Sequence, residues 1–357
     1  MSTAPLDRAG LGWPANLRPV RVRTLSGLVD LRAAGWTALV GLVALAVGFY
    51  SLTVGTAGIG VDQVLAAFAG TADTATSRIV LEWRASRVAF ALLGGAALAI
   101  GGAVFQSITR NPLGSPDIVG FSTGAYTGAL LVALFGVTGS LATSLGALAG
   151  GLATGLAVYA LAYRRGVTGS RVIVVGIGAS LFLGAFNTWV LTTMKLEQAI
   201  SAASWGAGSL NDVGWVHVLP LAAGLVLALP VVLVLSADMR VLELGDDAGR
   251  GLGVRAELVR AVLLLLGIAL VALVTASAGP IAFVALAAPQ LALRVTRTPG
   301  VRILPAAAFG SLLLVVSDLI ARTVIAPAQL PVGVVTLCLG GAYLVWLLAG
   351  FGRRTRL

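Results

Sequence analysis

Asp246 and Asp247 are adjacent carboxylates in a polar stretch, the arrangement from which a magnesium-dependent intramembrane prenyl transferase builds half of its metal site. Such an enzyme needs a second acidic cluster, and the other acids that could supply it (Asp62, Asp73, Glu197, Asp212, Asp318) are scattered singly. Lys195 is the one lysine and follows Thr193-Met194, so the chain has no GxxxxGK[ST] phosphate loop and no P-loop route to ATP hydrolysis. His217, the one histidine, borders an apolar run without His or Cys neighbours and reads as an interfacial residue. Cys338 has no partner for an internal disulfide. Asp318 is the clear intramembrane ionisable residue, which is what coupling to protons or sodium would require. Arg322 lies one helical turn later, so the two also suit an i,i+4 ion pair.

The elements that carry these residues are set by hydropathy. The chain has 357 residues, 58% hydrophobic and 11% charged, with mean hydropathy +0.99, which excludes an ordinary soluble domain. Apolar residues come in charge-free runs at 36–53, 88–109, 118–163, 172–194, 218–237, 261–293 and 323–352. A bilayer helix needs about 20 such residues, and the alternation of a β-barrel strand is absent. The fold class is therefore all-α, a polytopic membrane protein. Its net charge of +10 resides in loop arginines, as membrane topology requires, and does not point to nucleic acid.

Spans are predicted at 36–53, 87–106, 118–135, 140–163, 171–193, 217–237, 260–278, 280–297, 302–322 and 334–351. Gly279-Pro280 favours a break inside the long run 261–293, and charge supplies an independent test. With ten helices and the N-terminus inside, 19 of the 24 Lys/Arg fall on the cytoplasmic side; with nine helices only 14 do. The positive-inside rule selects ten, with both termini cytoplasmic. Residues 1–35 then form an Arg-rich cytoplasmic tail without a folded expectation, 36–351 the membrane domain, and 352–357 a short cytoplasmic tail.

Between helices 2 and 3, Gln106–Gly124 reads as a tight corner on the cytoplasmic side. Pro112 forces Asn111 out of helical geometry, ending helix 2 near Thr109–Arg110. Ser115-Pro116-Asp117 then reads as a new helix start, with Ser at N-cap, Pro at N1 and an acid in the first turn. Glycines spaced by four (Gly120/Gly124/Gly128, Gly146/Gly150, Gly151/Gly155) allow close helix approach, although glycine is also simply common in membrane helices. Segments after Pro116 and Pro280 each open a helix after another has ended, a faint inverted echo of helices 2–5 in helices 7–10. The loop 238–259 is the longest polar connection after the tail. In it Gly245, Asp246 and Asp247 can start a short helix, which Gly251 and Gly253 break before Val254.

The run QSITRNPLGSPDIVGFSTGA (106–125), preceded by WRASRVAFALLGGAALAIGGAVF, resembles the FecCD-type permeases. These are membrane subunits of ATP-driven importers for ferric siderophores, haem and cobalamin. NTWVLTTMKLEQAISAASWGAGSLND (187–212), LELGDDAGRGLGV (242–254), AGPIAFVALAAPQLALRV (278–295) and SDLIARTVIAPAQLPVGVVTLCLGG (317–341) extend the resemblance over most of the chain after residue 36. NPLGSPD, FNTW and WGAGSLN are especially similar to the second permease subunit of ferric-enterobactin importers. The resemblance implies ten helices, in agreement with the charge count, and a transport subunit that is not an enzyme and carries no cofactor. It also implies a second permease (a paralogue favoured over an identical copy), two cytoplasmic ATPase subunits that bind ATP and magnesium, and an extracytoplasmic binding protein. The expected location is the bacterial cytoplasmic membrane. The expected cargo is a ferric siderophore, catecholate first, with haem or cobalamin as alternatives and an ion-coupled secondary transporter as the rival class.

Residue roles follow from the same resemblance. Arg84, Arg87 and Arg322, three of only five basic residues outside, would receive acidic residues of the binding protein. The alternative for Arg322 is the pair with Asp318. Glu243, Gly245, Asp246, Asp247, Gly251, Leu252, Gly253 and Val254 would couple to the ATPase. Ser180, Asn187 and Thr188 on helix 5 would face the translocation pathway or hydrogen-bond a neighbouring helix. Gln106, Arg110, Asn111, Pro112, Pro116, Asp117 and Gly120 form the signature corner, a structural element that can touch the ATPase and is not expected to bind cargo.

Overall fold

In lipid every backbone N–H and C=O must be satisfied within the protein, so long runs of Leu, Val, Ala and Gly fold as helices. The computed structural model describes residues 17–22, 25–117, 120–137, 139–163 and 169–354. It opens with an antiparallel hairpin, β1 (Leu17–Val22) and β2 (Leu25–Asp30), in which Leu17 is opposite Asp30. Part of the segment expected to be a featureless tail is thus folded. Helix α1 (Leu31–Thr53) starts earlier than expected because Asp30 caps it, its Oδ1 accepting from the Arg32 and Ala33 amides at 3.1 and 3.2 Å. Two short helices follow, α2 (Val61–Phe68) and α3 (Thr74–Ser77). A π-helical stretch, Arg78–Arg84, then feeds α4 (Ala85–Thr109).

The remaining helices are α5 (Phe121–Leu134), α6 (Ser140–Ala162), α7 (Gly169–Thr193) and α8 (Leu196–Gly206), then α9 (Trp215–Glu243) and α10 (Asp246–Gly251). They are followed by α11 (Ala256–Ala278), α12 (Val284–Thr296), α13 (Ile303–Thr323) and α14 (Val332–Arg354). Among the described residues, seven helices are long and apolar enough to cross a membrane, namely α1, α4 with its leading turns, α6, α7, α9, α11 and α13. The shorter apolar helices α5, α12 and α14 occupy the other three predicted positions. The break expected at Gly279-Pro280 is present: α11 stops at Ala278, Gly279 takes φ +73°, and α12 begins at Val284.

Three further boundaries differ from the sequence expectation. Helix α9 runs through Glu243 rather than ending near residue 237, because no Gly or Pro lies between that point and Gly245. The polar loop 238–259 therefore shrinks to α10 and its flanks. Helix α5 starts at Phe121, not at Ser115-Pro116-Asp117. Those three residues form a turn, in which Ser115 Oγ accepts from the Asp117 amide at 3.3 Å, and Gly120 at φ +87° then redirects the chain. Asp117 still serves the helix start, since its carboxylate accepts from the Ser122 hydroxyl in the first turn of α5. Residues 118–119 of this corner lie outside the described residues. Helix α12, third, is shorter than expected, because Phe283 adopts φ +69° just before it.

Helix α4 is the axis of the bundle. Phe90, Ala91, Ala97–Ile100 and Ala103–Phe105 are buried among α1, α9, α11, α12 and α13. It approaches α13 closely, where a Cβ on Gly95 would collide with the Gly310 carbonyl and one on Gly310 with the Gly95 carbonyl. The predicted stripe acts in the same way between α5 and α6, where Gly128 sits against Gly146 and Gly150 backbone.

Candidate functional site

Two ionic clusters occupy opposite ends of this bundle. At one end meet the C-termini of α1 and α13 and the N-terminus of α4. Arg87, on the first turn of α4, reaches Asp318 of α13, with Nε and Nη2 both 2.8 Å from Oδ1. Its Nη1 donates to Gln329 Oε1 at 2.9 Å. Arg322 pairs with the other carboxylate oxygen, Nε to Oδ2 at 3.1 Å, and the Asp318 side chain is 0% exposed. Arg322 also donates to the Ser51 hydroxyl and, at 3.4 Å, to the Ser51 and Val54 carbonyls. Arg84 donates to the Leu52 carbonyl at 2.7 Å. Ser51 and Leu52 belong to the last turn of α1, whose carbonyls have no helical partner and form the negative pole of that helix.

Arg84, Arg87 and Arg322, expected to receive acidic residues of a binding protein, are here engaged within the chain. Arg84 and Arg87 are 8% and 9% exposed, and all three guanidiniums are turned inward. The physical reason is the demand of Asp318 and of the α1 terminus for donors. Both readings of Arg322 concerned this end, and its pair with Asp318 is present. Three guanidiniums against one carboxylate leave this cluster with a positive excess.

At the other end meet the C-termini of α4 and α9, the short α10 and the first turns of α11. Arg110, in the left-handed conformation that closes α4 (φ +50°), donates from Nε to the Leu242 carbonyl of α9 at 3.0 Å and from Nη2 to Asp246. Arg260 of α11 also holds Asp246, with Nη1 2.9 Å from Oδ2 and Nη2 on Oδ1. The Arg260 hydrogen bond, with Arg110 beside it, lowers the Asp246 carboxyl to about 2 against some opposing desolvation. Glu243 accepts from the Ser107 hydroxyl at 2.6 Å. Asp247 is exposed, and Leu244 and Leu252 flank α10 with 76% and 68% of their surface open. Gly245 and Gly253 hold φ of +127° and +80°, conformations closed to most side chains. Gly251 is exposed with open space around it, and Val254 is half-buried against the core.

The structure thus joins two sets that the sequence kept apart, since the corner residue Arg110 is pinned to Asp246 of the 243–254 segment. Other corner residues point inward. Gln106 donates to the Leu286 carbonyl at 3.0 Å and accepts from Gln290 at 2.7 Å, a buried amide pair linking α4 to α12. Asn111 and Pro112 build the turn, with Asn111 Oδ1 accepting from the Leu113 amide at 2.9 Å. Asp117 lies in the corner with Pro116 buried beside it; desolvation raises its carboxyl, and the Ser122 and Ser115 hydroxyls oppose that rise.

The three helix-α7 residues do not act together. Asn187 and Thr188 line a recess of about 240 Å³ with Ser122, Thr123, Tyr126 and Pro280. Asn187 Nδ2 donates to the Thr123 carbonyl at 3.4 Å, while its buried Oδ1 has no partner among the described residues. Ser180 lies apart, bonding back to the Gly176 carbonyl at 2.9 Å against Gly120. Sequence reasoning missed Arg260, Ser107, Gln290 and Gln329. The available signal for Arg260 was that it closes the polar segment immediately before a charge-free run. Among the described residues no group of three or more His, Cys, Asp or Glu side chains could hold a metal ion.

Comparison with known proteins agrees with this architecture. The family model described as the FecCD transport family matches residues 42–350. The ferric enterobactin transport system permease protein FepG of Escherichia coli K12 is 44% identical over 307 residues, covering 86% of this chain and 93% of its own. The achromobactin transport system permease protein CbrC of Dickeya dadantii is 36% identical, covering 90% and 93%. The iron(3+)-hydroxamate import system permease protein FhuG of Bacillus subtilis is 33% identical, covering 86% and 94%. A solved structure described as an inward-facing conformation of a metal-chelate type ABC transporter superposes with TM-score 0.79 at 25% identity, covering 89% of this chain and 99% of that one.

Proposed function

The chain belongs to the FecCD transport family, and from that premise we propose that it is the permease subunit of an ATP-driven importer for a ferric siderophore, with a catecholate cargo favoured. The relatives named above are permeases of siderophore systems, and FepG serves ferric enterobactin. The permease is a multi-pass helical membrane protein that does no covalent chemistry itself. Its partners are a second FecCD-type permease (a paralogue favoured), two ATPase subunits holding ATP and magnesium, and an extracytoplasmic binding protein. It resides in the bacterial cytoplasmic membrane with the Asp246 end and both termini in the cytoplasm. ATP binding and hydrolysis on the partners bias the bundle between outward- and inward-open states.

The observation that carries this reading is the α10 segment. A short helix stands at the cytoplasmic tip with two exposed leucines beside it, and Arg110 and Arg260 clamp it to α4 and α11. Exposed apolar residues at an aqueous end suit a protein partner, and the clamp would pass a push on α10 to α4, the axis of the bundle. At the opposite end, the positive excess around Arg84, Arg87 and Arg322 supports acidic groups of a binding protein as counterparts. The recess at Asn187 and Thr188, free of charged side chains, supports a pathway for a bulky complex rather than an ion site. Co-purification from cells that express the whole transporter tests the first point. Leu252→Arg should reduce the ATPase recovered with the permease at least tenfold while leaving permease levels unchanged; full recovery would sink the coupling role of α10.

A further inference from the structure

A groove between α6, α7 and α11 has no part in either ionic cluster or in the Asn187 recess. It encloses about 270 Å³, and its walls are apolar: Leu152, Gly155 and Leu156 of α6 face Ala261, Leu265 and Ile268 of α11. Phe105, the residue before Gln106 on α4, forms part of its floor. The groove opens sideways, because Leu156 on one bank and Leu265 on the other are 60% and 55% exposed. These leucines continue an exposed apolar surface of α6 and α11 that includes Leu161 and Leu258. The cleft from Ala261 to Ile268 is about 10 Å long along α11 at 1.5 Å per residue.

One mouth of the groove is marked by aromatics. Tyr159 lines it, and Tyr163 at the end of α6 stands 6.3 Å away, ring to ring, with its own surface exposed. Paired tyrosines with an apolar body and a polar tip belong at the headgroup level of a bilayer. Arg255, exposed at the N-cap of α11, lies at the same end. The cleft thus begins at the interface of the leaflet on the Asp246 side and extends into the hydrocarbon. An empty apolar cleft opening on lipid would forfeit contacts along its whole lining, whereas a chain end filling it restores them.

We propose that this groove is a binding site for one acyl chain of a phospholipid from the leaflet on the Asp246 side, held against Phe105 at the end of α4. The inference rests on the chain spanning a membrane with this face open to lipid, and not on the identity of the cargo. The test uses the complete transporter in nanodiscs that contain a phospholipid with a diazirine in its acyl chain. After illumination, labelled residues are mapped by mass spectrometry. Labelling of the 152–159 and 261–268 segments should exceed, several-fold, that of the exposed apolar face of α9 at Val226, Leu227 and Val234. Equal labelling of both faces would mean ordinary annular lipid and overturn the proposal. Protection of the groove while α9 is labelled would mean that a protein partner covers it, and would overturn it equally. Ala261→Phe, which fills the cleft, should lower groove labelling several-fold and leave the α9 signal unchanged.

Discussion

The two ends of this bundle use the same chemistry, arginine on aspartate, in opposite settings. At one end Asp318 is fully buried, held by Arg87 and Arg322, and the surrounding donors are spent on the terminal carbonyls of α1. At the other, Asp246 is also held by two arginines, yet its side chain is 36% exposed and it sits on a six-residue helix between glycines at positive φ. A buried pair is costly to break because the surviving charge has no water. A pair with one partner partly in solvent is more screened and cheaper to remake. The first is suited to fixing where α1, α4 and α13 meet, and the second to a joint that must shift without unfolding the protein. The difference lies in burial, not in the residues chosen.

The largest effect that would sharpen this contrast is expected at Asp318. Asp318→Asn leaves Arg87 and Arg322 buried without their counter-charge, a loss of about 3–5 kcal/mol by analogy with other broken buried pairs. The purified protein should melt well below wild type in a detergent thermal-shift assay monitored by size exclusion. A melting point within a degree of wild type would mean that water reaches this cluster, and the contrast between the ends would collapse.

At the other end the expected losses are functional before they are energetic. Arg260→Gln removes the main partner of Asp246 but leaves it Arg110 and solvent, so stability should fall by only about 1 kcal/mol. ATP hydrolysis by the assembled transporter should continue while uptake drops several-fold, because α10 is no longer tied to α11. Gly253→Val acts on the same joint through the backbone, since φ +80° strains any side chain by about 1 kcal/mol or more. Measuring hydrolysis and uptake together in proteoliposomes separates the cases. Parallel loss of both activities in either variant would indicate simple misassembly.

Much of this architecture was legible in the chain. Each predicted span meets an apolar helix among the described residues, and the break favoured at Gly279-Pro280 falls where Gly279 turns the chain. The short helix after Gly245 followed from its acids and glycines. What could not be read was which charges meet. Arg87 and Asp318 are 231 positions apart, and Arg110 and Asp246 are 136 apart, so no local periodicity links them. Orientation rules count the charge of Arg84, Arg87 and Arg322 by side, whereas packing decides whether a guanidinium faces out or caps a neighbouring helix. The start of α5 was misplaced for a related reason. Ser-Pro-Asp offers good capping chemistry, but the left-handed Gly120, pressed against Ser180 of α7, sets the true first turn.

The smallest effect distinguishes the ends by pH. The folded Asp246 carboxyl titrates at about 2, against 3.8 for an ordinary aspartate, with the Arg260 hydrogen bond as the main cause. A lowered carboxyl favours the folded state wherever the unfolded chain binds more protons. The stabilisation is therefore complete above about pH 4 and disappears as pH falls through 2. Solvent screening at this exposed site reduces it to about 1 kcal/mol. The difference in thermal stability between wild type and Asp246→Asn should be of that size at pH 6, shrink between pH 4 and 2, and fall further in high salt. A difference that holds constant to pH 2 and ignores salt would show that Asp246 acts through packing, and that this end is as dry as the other.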